Sequence, residues 1–203
     1  MILDDSSKAG LQQDSRKNKM RFSSIVAPVS LLGLASALSV SEKRGSGQCI
    51  PYSTAQALVN DWATTLTTPT DTAVFTNLLA PSFTDTSDSI NFIAGIPLGS
   101  VTFPSAQAYT QGQGSQQPIG LSILNIDAVT CEGVIAVRWV ATVGEAIDPV
   151  KGISILYAVQ SGSDCDVVGP NGWQLGTLYS EFNSAAWAID IGGTCTSPAA
   201  SSS

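Results

Sequence analysis

The sequence contains no histidine. Histidine is the side chain that titrates nearest neutral pH and the commonest metal ligand. Its absence excludes every Ser-His-Asp and Cys-His arrangement. Basic residues are also scarce. Beyond Arg44 only Arg138 and Lys151 remain, against twelve acids from Asp61 to Asp190, so that part of the chain carries a net charge of −10. So acidic a domain has no electrostatic footprint for phosphate backbones, which excludes nucleic acid and disfavours anionic membrane surfaces. There is no C-x-x-C spacing, and with no histidine the four cysteines form no zinc pattern, so no metal or cofactor is implied. Asn-x-Ser/Thr sites are likewise missing, although the Thr-rich turns offer hydroxyls for O-linked sugar.

No apolar run reaches the roughly 20 residues that a membrane-spanning helix needs. The one greasy segment, Ile25 to Leu38, follows Met20-Arg21, contains Pro28 and holds the small-residue pattern Ala35-Ser36-Ala37. A basic start, a short apolar centre and an A-x-A end are the parts of a secretory signal peptide, with a signal anchor as the competing reading. Residues 1–19 are polar, mixed in charge and without apolar period, and read as an extension ahead of a start at Met20. The signal peptide then covers 20–37, ending at Ala37. Residues 38–44 end in Lys43-Arg44, where secretory processing would cut to start the mature chain at Gly45. The same pair also reads as an exposed basic patch in a linker.

An even number of cysteines in a secreted chain argues for disulfides. Cys49, Cys131, Cys165 and Cys195 allow three pairings.

Along the chain the apolar period changes once. Ser53 with Gln56 three residues on has the form of a capping box, and Ala55, Leu58, Val59, Trp62, Ala63 and Leu66 recur at helical spacing. This predicts a helix over Thr54–Leu66. Asp71 caps a second helix carrying Phe75, Leu78 and Leu79, stopped by Pro81. The linking stretch Leu78–Gly95 follows, with a short strand expected over Phe92–Ile96 and a turn at Pro97–Ser100. A third helix starts at Pro104-Ser105 and runs through Tyr109 until Gly112 and Gly114 close it. Then come four β-branched, apolar segments: Leu121–Val129, Val134–Val143, Lys151–Gln160 and Trp173–Phe182. Helices first and an antiparallel meander after give an α+β class: three N-terminal helices packed on a strongly bent, mostly antiparallel sheet. The domain occupies 45–193, and 194–203 read as a disordered tail.

That order of elements is similar to the cone-shaped α+β barrel of the nuclear-transport-factor-two-like superfamily. Thr84–Ser100, with its run Thr-Asp-Thr-Ser-Asp-Ser-Ile-Asn-Phe-Ile-Ala-Gly, and Glu181–Asp190 resemble a group of small secreted fungal proteins within it. In that group a cysteine early in the domain and one at the end of the first long strand recur, matching Cys49 and Cys131. The resemblance therefore implies Cys49–Cys131, and arithmetic leaves Cys165–Cys195. It covers about residues 49–193. It implies a bent sheet wrapped around helices with a cavity between them, and a homodimer through the outer sheet face, as is frequent among relatives. Those relatives include ketosteroid isomerase, scytalone dehydratase, polyketide cyclases and many non-catalytic binders, so function must be argued from the cavity.

Asp85 and Asp88 stand where isomerase-like relatives place a general base. A proton-abstracting carboxylate needs an apolar pocket. Here Thr84, Thr86, Ser87 and Ser89 would hydrogen-bond an ionised carboxylate, and turn chemistry accounts for the same residues. Glu181 shares a strand face with Trp173, Leu175 and Tyr179 on a regular period-two count, and Arg138 lies central in an apolar strand. A buried charge needs a partner, so Glu181–Arg138 is the expected pair, as a register lock or as the polar end of a pocket. Trp62, Trp139, Trp187 and Tyr109 either line a cavity for an apolar or aromatic ligand or simply fill a core. No hydroxyl has an evident activating base, which leaves hydrolase chemistry unsupported. The expectation is a secreted, extracellular, non-catalytic domain binding a small apolar ligand or an extracellular partner. The alternative is a cofactor-free lyase or isomerase with Asp85 or Asp88 as base and Tyr109 or Tyr157 as proton donor.

Overall fold

The computed structural model describes residues 49–161 and 167–195. These lie within one compact unit, Arg44–Ser203. The expected extension, the signal peptide with Ala37, the Lys43-Arg44 processing site and Cys165 lie outside the described residues.

The first helix, α1 (Tyr52–Thr67), buries Ala55, Leu58, Val59 and Trp62, the i, i+3, i+4, i+7 stripe of the sequence. It begins two residues earlier than expected: Pro51 is the N-cap and no side chain caps the helix, so the Ser53–Gln56 box does not form. A disulfide joins Cys49, just ahead of α1, to Cys131, as the resemblance implied. In α2 (Thr72–Leu78) the Asp71 carboxylate accepts from the Ala73 backbone N–H at 3.2 Å, the expected cap. α2 ends before Pro81 is reached, and the chain passes straight into a strand, β1 (Leu79–Thr86). Proline is tolerated there because β1 is an edge strand, with one side free of ladder bonds, and its register is broken between Leu79 and Thr84.

The expected strand at Phe92–Ile96 is instead helical. α3 runs Asp88–Ala94, capped by Ser87, whose hydroxyl accepts from Ile90 N–H at 3.0 Å, and closed by Gly95 in the left-handed region at φ 69°. Both boundary signals are local, and they outweigh the β propensity of Phe92 and Ile93. The turn at Pro97–Ser100 is present, with Ser100 N–H donating to Pro97 C=O. α4 spans Ala106–Gly114. A further helix not foreseen, α5 (Ser184–Asp190), follows the last strand, with Asn183 as its cap.

The remaining strands are β2 (Gly120–Val129), β3 (Val134–Thr142), β4 (Val150–Gln160) and β5 (Trp173–Phe182). The sheet order is β1-β5-β4-β3-β2, antiparallel except for the parallel β1–β5 pair. It is an open, mixed sheet with β1 and β2 as edges, not a closed barrel. Register shifts in the β2–β3 and β4–β5 ladders supply its bends. One of them matters for the site. Tyr157 pairs with Thr177 and Ala158 with Leu175, so Gly176 is an extra residue in β5. It reverses the inside-outside parity: Leu175 is inside, then Leu178 and Ser180, while Tyr179 and Glu181 face out. The outer face is unusually apolar, exposing Ile153, Ile155, Tyr157, Val159 and Tyr179.

Candidate functional site

Between the helices and the inner sheet face lies a cavity of about 750 Å³. The volume is in the range of small-molecule sites. Trp62 from α1, Ile90 and Ile93 from α3, Trp139 from β3, and Leu178 and Phe182 from β5 give it a largely apolar wall.

Asp85 is a polar residue on this wall. On β1 it shares a face with Phe83, two residues before, and both are buried, with Asp85 1 % exposed. Its backbone is fixed from the other side: Asp85 N–H donates to Phe103 C=O at 2.9 Å, and Asp85 C=O accepts from Thr102 and Phe103 N–H. The strand bridge thus aims the side chain inward. Neither carboxylate oxygen has a hydrogen-bond partner. Burial pushes the carboxyl up to about 7; the Thr86 backbone pulls it down somewhat without a bond of normal geometry, and the Glu181 charge pushes it further up. The hydroxyls expected to hold it ionised are engaged elsewhere. Ser87 caps α3, and Ser89 donates to Glu181 at 2.5 Å.

Tyr109, from α4, also lines the cavity. Its ring sits among Phe75, Phe83 and Phe103, at centroid distances of 6.1, 5.1 and 5.4 Å. Burial first, then the Asp85 charge, raise its phenol well above the ordinary value. The hydroxyl lies 3.3 Å from Thr65 Oγ1, which donates its own proton to Trp62 C=O at 2.7 Å. The two hydroxyls share one hydrogen bond in which either oxygen can donate.

An aromatic series runs along the wall: Trp62 packs on Trp139 at 6.2 Å, Trp139 on Phe182 at 5.8 Å, and Phe182 on Trp187 of α5 at 4.9 Å. Trp139 is held by its indole N–H, which donates to Ser154 at 2.9 Å; Ser154 in turn bonds Ser180 at 2.8 Å. Asp190, at the end of α5, also lines the cavity. One of its oxygens accepts from Ile147 and Asp148 N–H, at 2.9 and 3.0 Å, and the other is buried without a partner.

The structure thus brings Asp85, Tyr109, Trp62, Trp139 and Trp187 to one cavity and leaves the other candidates out of it. Asp88 starts α3 and accepts from Gly99 N–H at 2.6 Å, pinning a loop. Glu181 does not pair with Arg138. Its two oxygens accept from Asp88 and Ser89 N–H, at 2.8 and 3.0 Å, and so close the N-terminus of α3. Arg138 is on the outer face, because Val137 and Trp139 take the inner one. There it pairs with Asp127 at 2.7 Å, and the guanidinium holds the Asp127 carboxyl down to about 2. Tyr157 and Tyr179 also face outward, ring to ring at 5.9 Å, so neither is a pocket residue and Tyr157 is no proton donor to the cavity. Cys195 is an exposed cysteine, free among the described residues, and its expected partner Cys165 lies outside them.

Sequence reasoning missed Asp190 as a wall residue because α5 was not foreseen, and Phe182 because the extra residue Gly176 reverses the parity of β5. The signal was Asn183 ahead of Ser-Ala-Ala-Trp, a cap followed by helix formers. Among the described residues no cluster of acidic or cysteine side chains could hold a metal ion, and no helix is long and apolar enough to cross a membrane.

The model of the NTF2-like domain family matches residues 48–194. Among solved structures, the chain is similar to an NTF2-like protein of unknown function from Cytophaga hutchinsonii, at 10% identity over 64% of this chain and 90% of that one, with a TM-score of 0.43. It is similar to the CaMKII hub of S. rosetta, at 10% identity, 64% and 95% coverage and a TM-score of 0.49. It is also similar to a hypothetical protein with a ketosteroid isomerase-like fold from Catenulispora acidiphila, in complex with trimethylamine, at 12% identity, 68% and 93% coverage and a TM-score of 0.47. At such identities the likeness is one of fold alone. No similar protein was found among curated sequences.

Proposed function

We propose, for a chain that belongs to the NTF2-like domain family, that this cavity binds a small, largely apolar molecule and anchors it through Asp85. The observation that carries the reading is the Asp85 carboxylate itself, buried on the wall of an apolar cavity with both oxygens unpartnered. A buried polar group without partners costs about 1–3 kcal/mol, a cost that a ligand donor seated against it offsets. Binding is favoured over catalysis because the hydroxyl of Tyr109, the candidate acid, is engaged with Thr65 at 3.3 Å. The domain acts outside the cell, as a secreted protein stabilised by Cys49–Cys131.

Native mass spectrometry of the protein from its own culture medium, before and after denaturation, tests the binding reading. A discrete extra mass that leaves on denaturation is expected. In parallel, a neutral solvatochromic naphthalene probe should bind the emptied protein and lose at least tenfold in affinity in Ile93→Trp, which fills the cavity wall. A bare domain that also ignores the probe refutes the reading.

A second reading rests on the raised Asp85 carboxyl, which suits a base working near neutral pH in a cofactor-free isomerase or lyase. It requires a substrate carbon acid whose proton Asp85 removes; deuterium exchange into a bound ketone, absent in Asp85→Asn, would establish it.

A further inference from the structure

The charges that line the cavity are all of one sign. Asp85, Glu145 and Asp190 contribute carboxylates, and no Lys or Arg side chain among the described residues reaches the wall. The only two bases among the described residues lie elsewhere: Arg138 is paired with Asp127 on the outer face, and Lys151 is exposed on β4. Both Asp85 oxygens and one Asp190 oxygen are buried and unpartnered. The aromatic rings of Trp62, Trp139, Trp187 and Phe182 line the same cavity. Ring faces carry negative quadrupole density and attract cations, most strongly where water is excluded.

From these three facts together we propose that the ligand is a small organic cation, an amine carrying an apolar or aromatic body, with Asp85 as its counter-ion. A neutral ligand would use the apolar wall but leave at least one carboxylate without a charge partner. An anionic one would be repelled by three acids with no cation to offset them. The inference rests on the cavity being the ligand site and specifies the class of molecule it takes.

An ammonium ion favours the ionised carboxylate. Affinity for an amine therefore rises with pH while Asp85 is ionising and flattens once it is fully charged. The titratable groups that interact with Asp85 are Tyr109 from α4 and, through its charge alone, Glu181 from β5, while Glu145 and Asp190 share the cavity wall. None of these is a histidine, so the pH response belongs to the carboxylates.

The test uses three ligands of one size: 2-phenylethylamine, 2-phenylethanol and 3-phenylpropionate. Three of the chain's four tryptophans line the cavity, so intrinsic fluorescence reports occupancy. At pH 8 the amine should bind at least tenfold more tightly than the alcohol, and the carboxylate should not bind measurably. Between pH 6 and 8 amine affinity should rise severalfold while alcohol affinity stays level. In Asp85→Asn the preference for the amine should fall at least fivefold; if that variant does not fold, the wild-type pH series decides. An alcohol that binds as well as the amine overturns the cation assignment and leaves the cavity reading standing. An unchanged preference in folded Asp85→Asn overturns Asp85 as counter-ion. If none of the three binds while the neutral naphthalene probe does, the cation assignment falls alone. If the probe fails as well, both readings fall.

Discussion

Asp85 should make the protein less stable as the solution becomes less acidic, and the size of the effect follows from its burial. The carboxyl titrates near 7 in the folded protein against an ordinary value of 3.8. Between those values the folded state holds a proton that the unfolded chain has released, so raising the pH favours unfolding. The whole span corresponds to about 4 kcal/mol, of which about 2.5 kcal/mol falls between pH 5 and pH 8. In most proteins histidines would blur this window; here there are none. Asp61, held up by partial burial, lies outside the cavity and is common to any pair of variants. Urea unfolding of wild type and Asp85→Asn at pH 5, 6, 7 and 8, with thiols blocked, is the assay. Wild type should lose about 2.5 kcal/mol across the series while Asp85→Asn stays nearly flat. The variant is therefore the more stable protein at pH 8, by a margin that shrinks as the solution is acidified. Parallel profiles for the two proteins, or a wild-type stability that rises with pH, would refute the buried, unpaired carboxylate on which the proposed site rests.

Gly152→Ala should cost about 1–3 kcal/mol and disturb the near-ultraviolet circular dichroism, because a Cβ at Gly152 runs into the Trp139 indole across the β3–β4 ladder. Glu181→Ala removes the acceptor of two α3 backbone donors. It should cost about 1 kcal/mol in thermal unfolding and raise hydrogen exchange at Asp88 and Ser89. Replacing Cys49 and Cys131 by Ala opens a loop of 82 residues in separation, for a loss of up to about 4.5 kcal/mol in urea by the loop-entropy argument; a loss below about 1 kcal/mol would show the bridge to be a minor stabiliser. The homodimer implied by the resemblance would cover Ile153, Ile155 and Tyr157 with a second copy. Light scattering should give twice the chain mass for wild type and a monomer for Ile155→Lys; a monomeric wild type removes the outer face as an interface.

Much of this protein follows from local sequence. The α1 stripe from Ala55 to Trp62, the Asp71 cap and the alternation of β3 and β4 are set by the period of their own apolar residues, which no distant contact reverses. The class excluded by composition, with no histidine and two bases after Arg44, is equally a property of the chain alone. What the sequence left open was decided by contacts between segments far apart. The extra residue Gly176 turned Tyr179 and Glu181 away from the cavity, and a period-two count cannot see a bulge that exists only against a partner strand. Glu181 found its partners 93 and 92 residues away at Asp88 and Ser89, not at Arg138. Asp85, between Thr84 and Thr86, and Asp88, between Ser87 and Ser89, have alike hydroxyl neighbours in the sequence. Only the strand bridge to Phe103 and the packing of α3 and α4 over it separate the two, burying one carboxylate without a partner and leaving the other to pin a surface loop. Burial is a property of the assembled fold, and the chemistry of this cavity is set by burial.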